Sequence, residues 1–363
     1  MKKKSSGLKL RIVLCFTALS ILNGLSAEND DAHRDRPNAD IEFRQDTALC
    51  RINVLIDGNI FTSFRYGESL EKPVFFPLYA PGGSVVTRGY PLAPRHNERT
   101  DHPHHTGLWF NYGDVNGLDF WNNSGAVPLE KKCRYGRIVC LTDSIVCNVA
   151  SRSIKGVFNW VNCKGEIILN ETTCFVFTRE NEQLYSIKRV TVLRAVKDSV
   201  VFGDSKEGLL GLRVARELEM PSGEPVALFD AVSGKETAPR IDSTSVTGNY
   251  LGSNGLSGNS VWGTRGKWMI LSGVIDTDSI SVALLDHPEN TGYPAYWHAR
   301  GYGLFAVNSL ASVSYDPRQP VRRTLLNKGE TLVFKYMVLV KSGGFLQFSE
   351  MERFSDRFAS SLL

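Results

Sequence analysis

The sequence predicts an all-β protein built from antiparallel sheets and closed by a single C-terminal helix. Strand-like runs near residues 154–162, 166–179 and 184–197 follow one another through short turns, which is typical of an antiparallel meander. Helical periodicity is nearly absent before the last residues. A chain of 363 residues with 42% hydrophobic content can also bury a large core.

The first residues have the pattern of a secretory signal peptide. A lysine-rich start precedes an apolar stretch over residues 12–25, and small residues follow it. We therefore expect cleavage after residue 27 and a secreted or periplasmic protein. Residues 28–48 are polar and charged and predict a flexible linker, so residues 49–363 are expected to form a single large domain.

The charge of the expected mature chain excludes two classes of partner. Residues 1–27 hold five of the 42 Lys and Arg residues and no acid, which leaves 37 bases against 38 acids. The sequence pI of 8.6 is therefore largely a property of the predicted signal peptide. Neither a nucleic-acid footprint nor a basic membrane patch is expected. No later segment has transmembrane length, so no integral membrane association is expected either.

The strands can be assigned from local pattern. Alternating apolar residues over 51–56, the pair Asp57 and Gly58, and a second run over 60–66 predict a hairpin. A further strand-like run covers 135–149. Near the C-terminus, large apolar side chains recur at helical spacing and predict an amphipathic helix that packs on the core: Phe345, Phe348, Met351, Phe354 and Phe358.

Six cysteines remain after the expected cleavage, and they permit disulfides in an exported protein. They are Cys50, Cys133, Cys140, Cys147, Cys163 and Cys174. Their pairing stays open, and no Cys-x-x-Cys spacing occurs. Rossmann and Walker patterns are also missing from the sequence, so a nucleotide cofactor has no support.

The stretch 101–121 is the densest candidate site. His102, His104 and His105 fall within four residues and are followed by large aromatic residues. In an extended segment His102 and His104 would face one way and His105 the other, and Pro103 would stiffen the run. One pair of imidazoles would then converge on a ligand. Alternatively, each histidine is a buried, hydrogen-bonded core residue.

Two later stretches carry further candidates. The charged stretch 203–219 and the aromatic stretch 286–302 contribute Glu207, Arg213, Trp297, His298 and Arg300. Aromatic rings, guanidinium groups and an imidazole that titrates near neutral pH suit a sugar or another polar organic ligand. The same residues also suit surface ion pairs and a structural aromatic cluster. Arg88, ahead of the histidines, is a candidate anion clamp or an ion-pair partner.

The order of these motifs resembles the PmoA-like family of exported bacterial proteins, a family of unknown function. The resemblance rests on residues 87–91, 101–105, 107–109, 113–117, 120–121, 206–208, 212–213, 265–268, 286–288, 297–298, 300 and 302–305. Thr106 and residues 308–311 depart from the family pattern. The family name points to a methane-oxidising membrane protein, a meaning that we reject because this chain lacks transmembrane segments. The resemblance implies a large β-sandwich similar to the galactose-mutarotase-like supersandwiches, which act on sugars with histidines and a carboxylate on a sheet face.

The first functional hypothesis is a carbohydrate-active enzyme that catalyses hydrolysis, elimination or epimerisation at a sugar ring. His104 and His298 would be general acid or base, and Glu207 or Asp114 would be the carboxylate partner. Substrate-binding residues would be Arg88, His105, Trp109, Arg213, Trp297 and Arg300.

Two alternatives belong to other classes. A glycan-binding protein without catalysis would need only the aromatic and polar residues. A metal-dependent hydrolase or oxidase would start from His102 and His104, with Asp101, Asp114 or His298 as further ligands, a set that suits zinc or iron.

Overall fold

The computed structural model describes residues 40–361, so the predicted signal peptide and most of the predicted linker lie outside the described residues. The strands of the first half are β1 (Ile41–Asp46), β2 (Arg51–Ile56), β3 (Asn59–Arg65), β4 (Val74–Leu78), β5 (Leu108–Tyr112), β6 (Arg137–Cys140), β7 (Val146–Asn148), β8 (Ser153–Val161), β9 (Ile167–Asn181), β10 (Leu184–Ala195) and β11 (Ser199–Phe202). Those of the second half are β12 (Gly208–Arg213), β13 (Pro225–Val226), β14 (Phe229–Asp230), β15 (Lys235–Glu236), β16 (Arg240–Ile241), β17 (Asn249–Gly252), β18 (Trp268–Ile275), β19 (Asp278–Asp286), β20 (Tyr296–Arg300), β21 (Leu304–Asn308), β22 (Thr324–Asn327) and β23 (Thr331–Lys341). One α-helix, α1 (Phe348–Ser360), follows them.

Two large antiparallel sheets contain most of these strands. The first sheet has the order β1-β2-β3-β4-β5-β12-β21-β20, and the second has the order β17-β18-β19-β23-β10-β9-β8-β6, with β7 beside β8. The remaining strands form two-stranded ribbons. The prediction of an all-β protein with antiparallel sheets and a C-terminal helix is confirmed. Within residues 40–361, no helix is long and apolar enough to cross a membrane.

The main core lies between the two sheets. Phe75 of the first sheet meets Phe175 of the second edge to face, with 4.8 Å between ring centres. Phe110 of β5 also faces this core and contacts Trp160 of β8. Each such buried side chain contributes roughly 1.5–3 kcal/mol through removal of apolar surface from water.

The opposite face of the first sheet carries a smaller apolar cluster. Because side chains alternate along a strand, Phe110 points into the main core while Trp109 points to the other side. Trp109 packs there with Phe76, Trp121 and Leu304. We call this cluster on the outer face of the first sheet the apolar floor, and the candidate site lies on it.

Helix α1 covers part of the second sheet. Its Met351 and Phe358 are buried with Trp268 of β18 in a separate apolar cluster. Glu350 accepts a hydrogen bond from the backbone N–H of Gln347, which caps the first turn. Phe345 precedes the helix, and both Phe345 and Phe348 are exposed, so the predicted core-facing stripe was wrong at its first two members, although the Phe348 ring still meets Trp268 edge to face.

Of three other local predictions, one was confirmed and two were wrong in part. The first hairpin is confirmed as β2 and β3 with Asp57 and Gly58 at the turn. The prediction of a flexible linker over residues 28–48 was wrong at its C-terminal end. Strand β1 lies within that segment and pairs with β2. The run 135–149 is not one strand, since a short 3₁₀ turn separates β6 from β7.

Candidate functional site

The three clustered histidines lie on a tight turn and not on a strand. The N–H of His105 donates to the carbonyl of His102 at 2.9 Å, and Pro103 occupies the second position of this turn, where its fixed φ is favoured. His102 itself has a φ of +46°. The expected strand alternation of the three imidazoles was therefore wrong, because a turn places the first and fourth side chains on the same side.

The turn places two of the three imidazoles, those of His102 and His105, in a column of four stacked aromatic rings. The rings of Tyr302, His102, His105 and Trp109 follow one another at centre distances of 5.1, 4.9 and 5.4 Å, with interplanar angles of 17° or less. His104 meets His105 edge to face at 4.3 Å. The column fixes the orientation of His102 and His105 between the apolar floor and Tyr302.

A buried ion-pair layer holds the turn from below. One carboxylate oxygen of Asp101 accepts from Arg88 at 2.6 Å and from Arg213 at 2.7 Å. Arg88 also donates to the carbonyls of His102 and His105, both at 3.0 Å. Burial alone would raise the pKa of Asp101, but its contact with His102 and the charges of Arg213 and Arg88 hold it well below its ordinary value.

Arg213 also fixes the tautomer of His105. Its guanidinium lies 3.3 Å from Nδ1 of His105, and an arginine can only donate. Nδ1 must then be the acceptor, which leaves the proton on Nε2. Burial, followed by the nearby His104 and the charge of Arg213, holds the pKa of His105 well below its ordinary value, so the ring is a neutral donor.

A buried lysine supports the turn from the side. Nζ of Lys72 donates to the carbonyl of His104 at 2.7 Å, and the ammonium lies 5.5 Å from the ring centre of Trp109. Burial lowers the pKa of Lys72 to about 7. Burial and the charge of Lys72 lower the pKa of His104, so that imidazole is also neutral at physiological pH.

A polar cavity of about 180 Å³ opens above the turn. It is lined by His102, His104, His105, Asn122, Lys206, Glu207, His298, Arg300 and Tyr302. His298 and Arg300 project from β20 on the outer face, since Trp297 and Ala299, which alternate with them along the strand, face the main core. Gly113 admits Glu207, because a Cβ at Gly113 would lie 2.7 Å from the Cβ of Glu207.

His298 and Glu207 form a pair inside this cavity. Nδ1 of His298 is buried, has no hydrogen-bond partner among residues 40–361, and lies 3.5 Å from Oε2 of Glu207. Burial, followed by the charges of Arg300 and Lys206, lowers the pKa of His298 to about 3. Burial raises the pKa of Glu207. Burial therefore shifts the pKa values of the two groups in opposite directions, and in each case it disfavours the charged form.

The structure brings together residues from all three candidate stretches. His102, His104, His105, Glu207, His298 and Arg300 line one cavity. Arg88 and Arg213 do not line it: they are 1% and 0% exposed and are occupied by Asp101. The prediction that these two arginines bind the ligand was therefore wrong, because both side chains support the histidine turn and neither lines the cavity.

Three further candidates lie away from the cavity. Trp109 is buried beneath His105, and Trp297 is buried in the main core with its Nε1 donating to the carbonyl of Gly266 at 3.2 Å. Neither ring has a free face for a ligand, so their prediction as stacking platforms was wrong. Asp114 accepts from the N–H of Gly117 at 2.9 Å in a turn and is not part of the cavity lining.

Sequence reasoning did not assign a role to several residues that shape the site. Tyr302 tops the ring column, Lys206 and Asn122 line the cavity, and Lys72 anchors the turn. Tyr302 and Lys206 lay within the candidate stretches, so the neighbouring candidate residues could have marked them as site residues. Lys72 carried none, because its contact with His104 joins residues that are 32 positions apart.

The residues present do not form a complete metal site. Among residues 40–361, no group of three or more His, Cys, Asp or Glu side chains is arranged to hold a metal ion. The rings of His102 and His104 lie 5.6 Å apart at an angle of 73°, and Nδ1 of His102 faces Asp101 at 3.2 Å. We therefore derive no step through a metal.

A larger cavity of about 560 Å³ lies elsewhere, between the loops around Asn116, Cys163 and Lys197. Its lining holds no histidine, and its charged side chains include Lys197 and Glu166, which pair with each other at 3.3 Å. The smaller cavity is the one lined by several buried titratable groups whose pKa values are shifted by burial, so we take it as the candidate site.

Comparisons with known proteins give a family but little about function. The family model described as "Family of unknown function (DUF6807)" matches residues 51–354. No curated protein matches the sequence. The crystal structure of HI1317 is similar over 83% of this chain and 99% of that one, with 10% identity and a TM-score of 0.25. A crystal structure of beta-arabinopyranosidase is similar over 84% of this chain and 38% of that one, with 10% identity and a TM-score of 0.28. Scores this low carry no argument about function.

Proposed function

Because this chain belongs to DUF6807, a family of unknown function, we propose its activity from the cavity itself: it is a carbohydrate-active enzyme that works by proton transfer at a sugar ring. Hydrolysis, elimination and epimerisation all use this chemistry. The observation that carries the proposal is the pair of Glu207 and His298, 3.5 Å apart in a polar cavity of monosaccharide size.

The pair supplies an acid and a base with distinct roles. Glu207, whose pKa is raised by burial, is the general acid. His298 and His104 are neutral imidazoles and act as proton acceptors. Proton transfer by such positioned groups typically contributes about 10²–10⁴-fold to the rate.

The hydrogen-bonding groups around the pair suit a polyhydroxylated ligand. Tyr302 offers a hydroxyl group whose pKa is raised by burial, so it stays neutral and can donate or accept. Asn122 adds an amide, and His105 adds its Nε2–H. Sugar hydroxyls need this mixture of donors and acceptors.

The test is a panel of oligosaccharides and glycosides incubated with the purified protein and analysed by NMR for new products. Glu207→Gln is expected to lower turnover by about 10²–10⁴-fold. Asp114→Asn makes a similar carboxylate-to-amide change outside the cavity and is expected to keep full turnover. Unchanged turnover in Glu207→Gln, or in His104→Ala together with His298→Ala, contradicts the proposal.

A glycan-binding protein without catalysis is the alternative outcome of the same panel. It predicts saturable sugar binding with no product for any compound. A metal-dependent enzyme is a weaker alternative, because residues 40–361 supply no third ligand. Elemental analysis of untagged protein tests it: near-stoichiometric zinc, iron or copper that disappears in His102→Ala/His104→Ala would support it.

Secretion or periplasmic export, membership of the PmoA-like group and a galactose-mutarotase-like architecture are parts of the same proposal. The signal-like pattern of residues 1–27 supports export, and the two packed antiparallel sheets with a site on one sheet face support the architecture. N-terminal sequencing of the exported protein would test the cleavage expected after residue 27.

A further inference from the structure

We propose that the cavity binds an acidic sugar, a monosaccharide unit that carries a carboxylate, and that Arg300 recognises this carboxylate. The inference rests on the proposed function, because it names the substrate class of the same site. It is drawn from the balance of charge in the cavity, the partners of each arginine and the size of the space.

The cavity wall has more positive than negative charge. Its lining holds two cations, Lys206 and Arg300, and one carboxyl group, Glu207. Lys206 lies 3.9 Å from Glu207, at the limit of an ion pair. Imidazoles supply no negative charge, and Glu207 is the one Asp or Glu in the lining, so no other lining residue compensates the second cation.

Arg300 is the uncompensated cation. Within residues 40–361 its guanidinium has no carboxylate within 4.0 Å, whereas Arg88 and Arg213 both bind Asp101. Arg300 is also only half-exposed, so solvent offsets its charge incompletely. An anion on the ligand would supply the missing partner.

The guanidinium of Arg300 is held ready for such a contact. Its central carbon lies 4.5 Å from the ring centre of Trp262, a cation–π contact that restricts the side chain. A planar guanidinium presents two parallel N–H donors, which match the two oxygens of a carboxylate. A restricted arginine loses less entropy when this paired contact forms.

The size of the cavity limits the ligand to one ring. The cavity volume of about 180 Å³ is many times the ~10–15 Å³ that a single water molecule needs. One monosaccharide unit fills this space, and a longer chain would have to extend outside it. The neutral donors and acceptors of Asn122, His105 and Tyr302 remain for the ring hydroxyls.

The experiment is calorimetric titration at constant ionic strength with matched sugars: D-glucuronate, D-galacturonate and D-mannuronate, their neutral parents glucose, galactose and mannose, and the three hexose 6-phosphates. At least one uronate is expected to bind about tenfold or more tightly than its neutral parent, as for a hydrogen-bonded charge pair. Neutral sugars that bind as tightly, a preferred phosphate, or no binding by any of the compounds would overturn the inference.

Variants assign the effect to the guanidinium. Arg300→Gln is expected to bind the uronate no better than its neutral parent, and Arg300→Lys is expected to retain part of the preference. Arg318→Gln is the control, because Arg318 is a surface residue paired with Asp316 outside the cavity. An undiminished uronate preference in Arg300→Gln would show that another group recognises the anion and would overturn the assignment.

The outcome also separates this inference from the proposed function. A uronate that binds through Arg300 but yields no product in any assay supports the inference and contradicts catalysis. A neutral sugar that is converted, while uronates neither bind nor react, supports catalysis and overturns the inference.

Discussion

Two groups of charged residues lie within one site and differ in how their charges are satisfied. The paired layer consists of Arg88, Asp101 and Arg213 beneath the histidine turn, and its two arginines share one carboxylate. The open layer consists of Lys206, Glu207, His298 and Arg300 around the cavity. In the open layer, among residues 40–361, Nδ1 of His298 makes no hydrogen bond and the Arg300 guanidinium makes no ion pair.

The difference separates stability from function. Charges that the protein itself satisfies fix the backbone of the turn, and their loss is expected to affect folding. Groups of the open layer that lack a hydrogen-bond or ion-pair partner in the protein are expected to bind a ligand. Their loss is therefore expected to affect binding and turnover. Four predictions test this division.

The largest effect is expected on turnover when the open layer loses its histidine. His298→Asn removes the proposed proton acceptor beside Glu207, so turnover should fall by about 10²–10⁴-fold. The thermal midpoint should stay within a few degrees, because Nδ1 makes no hydrogen bond to residues 40–361. The measurement pairs product formation with thermal unfolding. A loss of activity that follows the loss of folded protein would remove the distinction between the layers.

The second effect is expected on folding when the paired layer loses its carboxylate. Asp101→Asn removes the carboxylate that the buried Arg88 and Arg213 share and leaves only Glu219, 4.0 Å from Arg213, which should cost about 3 kcal/mol in free energy of unfolding. Urea denaturation measures it. Asp46→Asn breaks a surface pair with Arg51 and should cost at most about 1 kcal/mol. Equal costs for the two variants would contradict the role assigned to the paired layer.

The third effect is a dependence of stability on pH. At pH 5 an imidazole in the unfolded chain is protonated, whereas His105, whose pKa is held far lower by burial, stays neutral in the folded chain. Acid therefore favours unfolding from about pH 6.5 downward, by up to about 1.4 kcal/mol per pH unit for one histidine. Asp101 does not oppose this trend, since its lowered pKa keeps it ionised in this window.

His105→Gln isolates this contribution. Asp286, whose pKa is raised to about 7 by burial, stabilises the folded protein toward acid and so partly offsets the net slope. The informative quantity is therefore the difference in slope between the variant and the natural protein from pH 6.5 to 4.5. The variant should have the shallower rise of stability with pH, and identical slopes would show that His105 titrates alike in both states.

The smallest effect on folding is expected at the edge of the open layer. Lys206 is half exposed and lies 3.9 Å from Glu207, so Lys206→Gln should change the free energy of unfolding by no more than about 0.5 kcal/mol. Its effect on binding of a uronate should be a few-fold reduction, weaker than that of Arg300→Gln. A destabilisation of several kcal/mol would mean that Lys206 belongs to the paired layer.

The sequence alone determined the fold class and several elements. Period-two alternation predicted the β2–β3 hairpin and the long strands β8, β9 and β10, because alternation is a local property of a sheet with one buried face. Composition and spacing also marked the three stretches that supply most of the cavity lining. Those stretches were identifiable because histidine, arginine and tryptophan are dense there.

The tertiary structure alone decided which residue faces the ligand. Sequence treated Arg88, Arg213 and Arg300 alike, yet the first two bind Asp101 and only Arg300 lines the cavity. Alternation places Trp297 and His298 on opposite faces of β20, but the packing of the sheet decided that Trp297 faces the main core and His298 the cavity. Burial and charge pairing depend on neighbours far apart in the chain, as between Asp101 and Arg213, and local pattern contains no record of them.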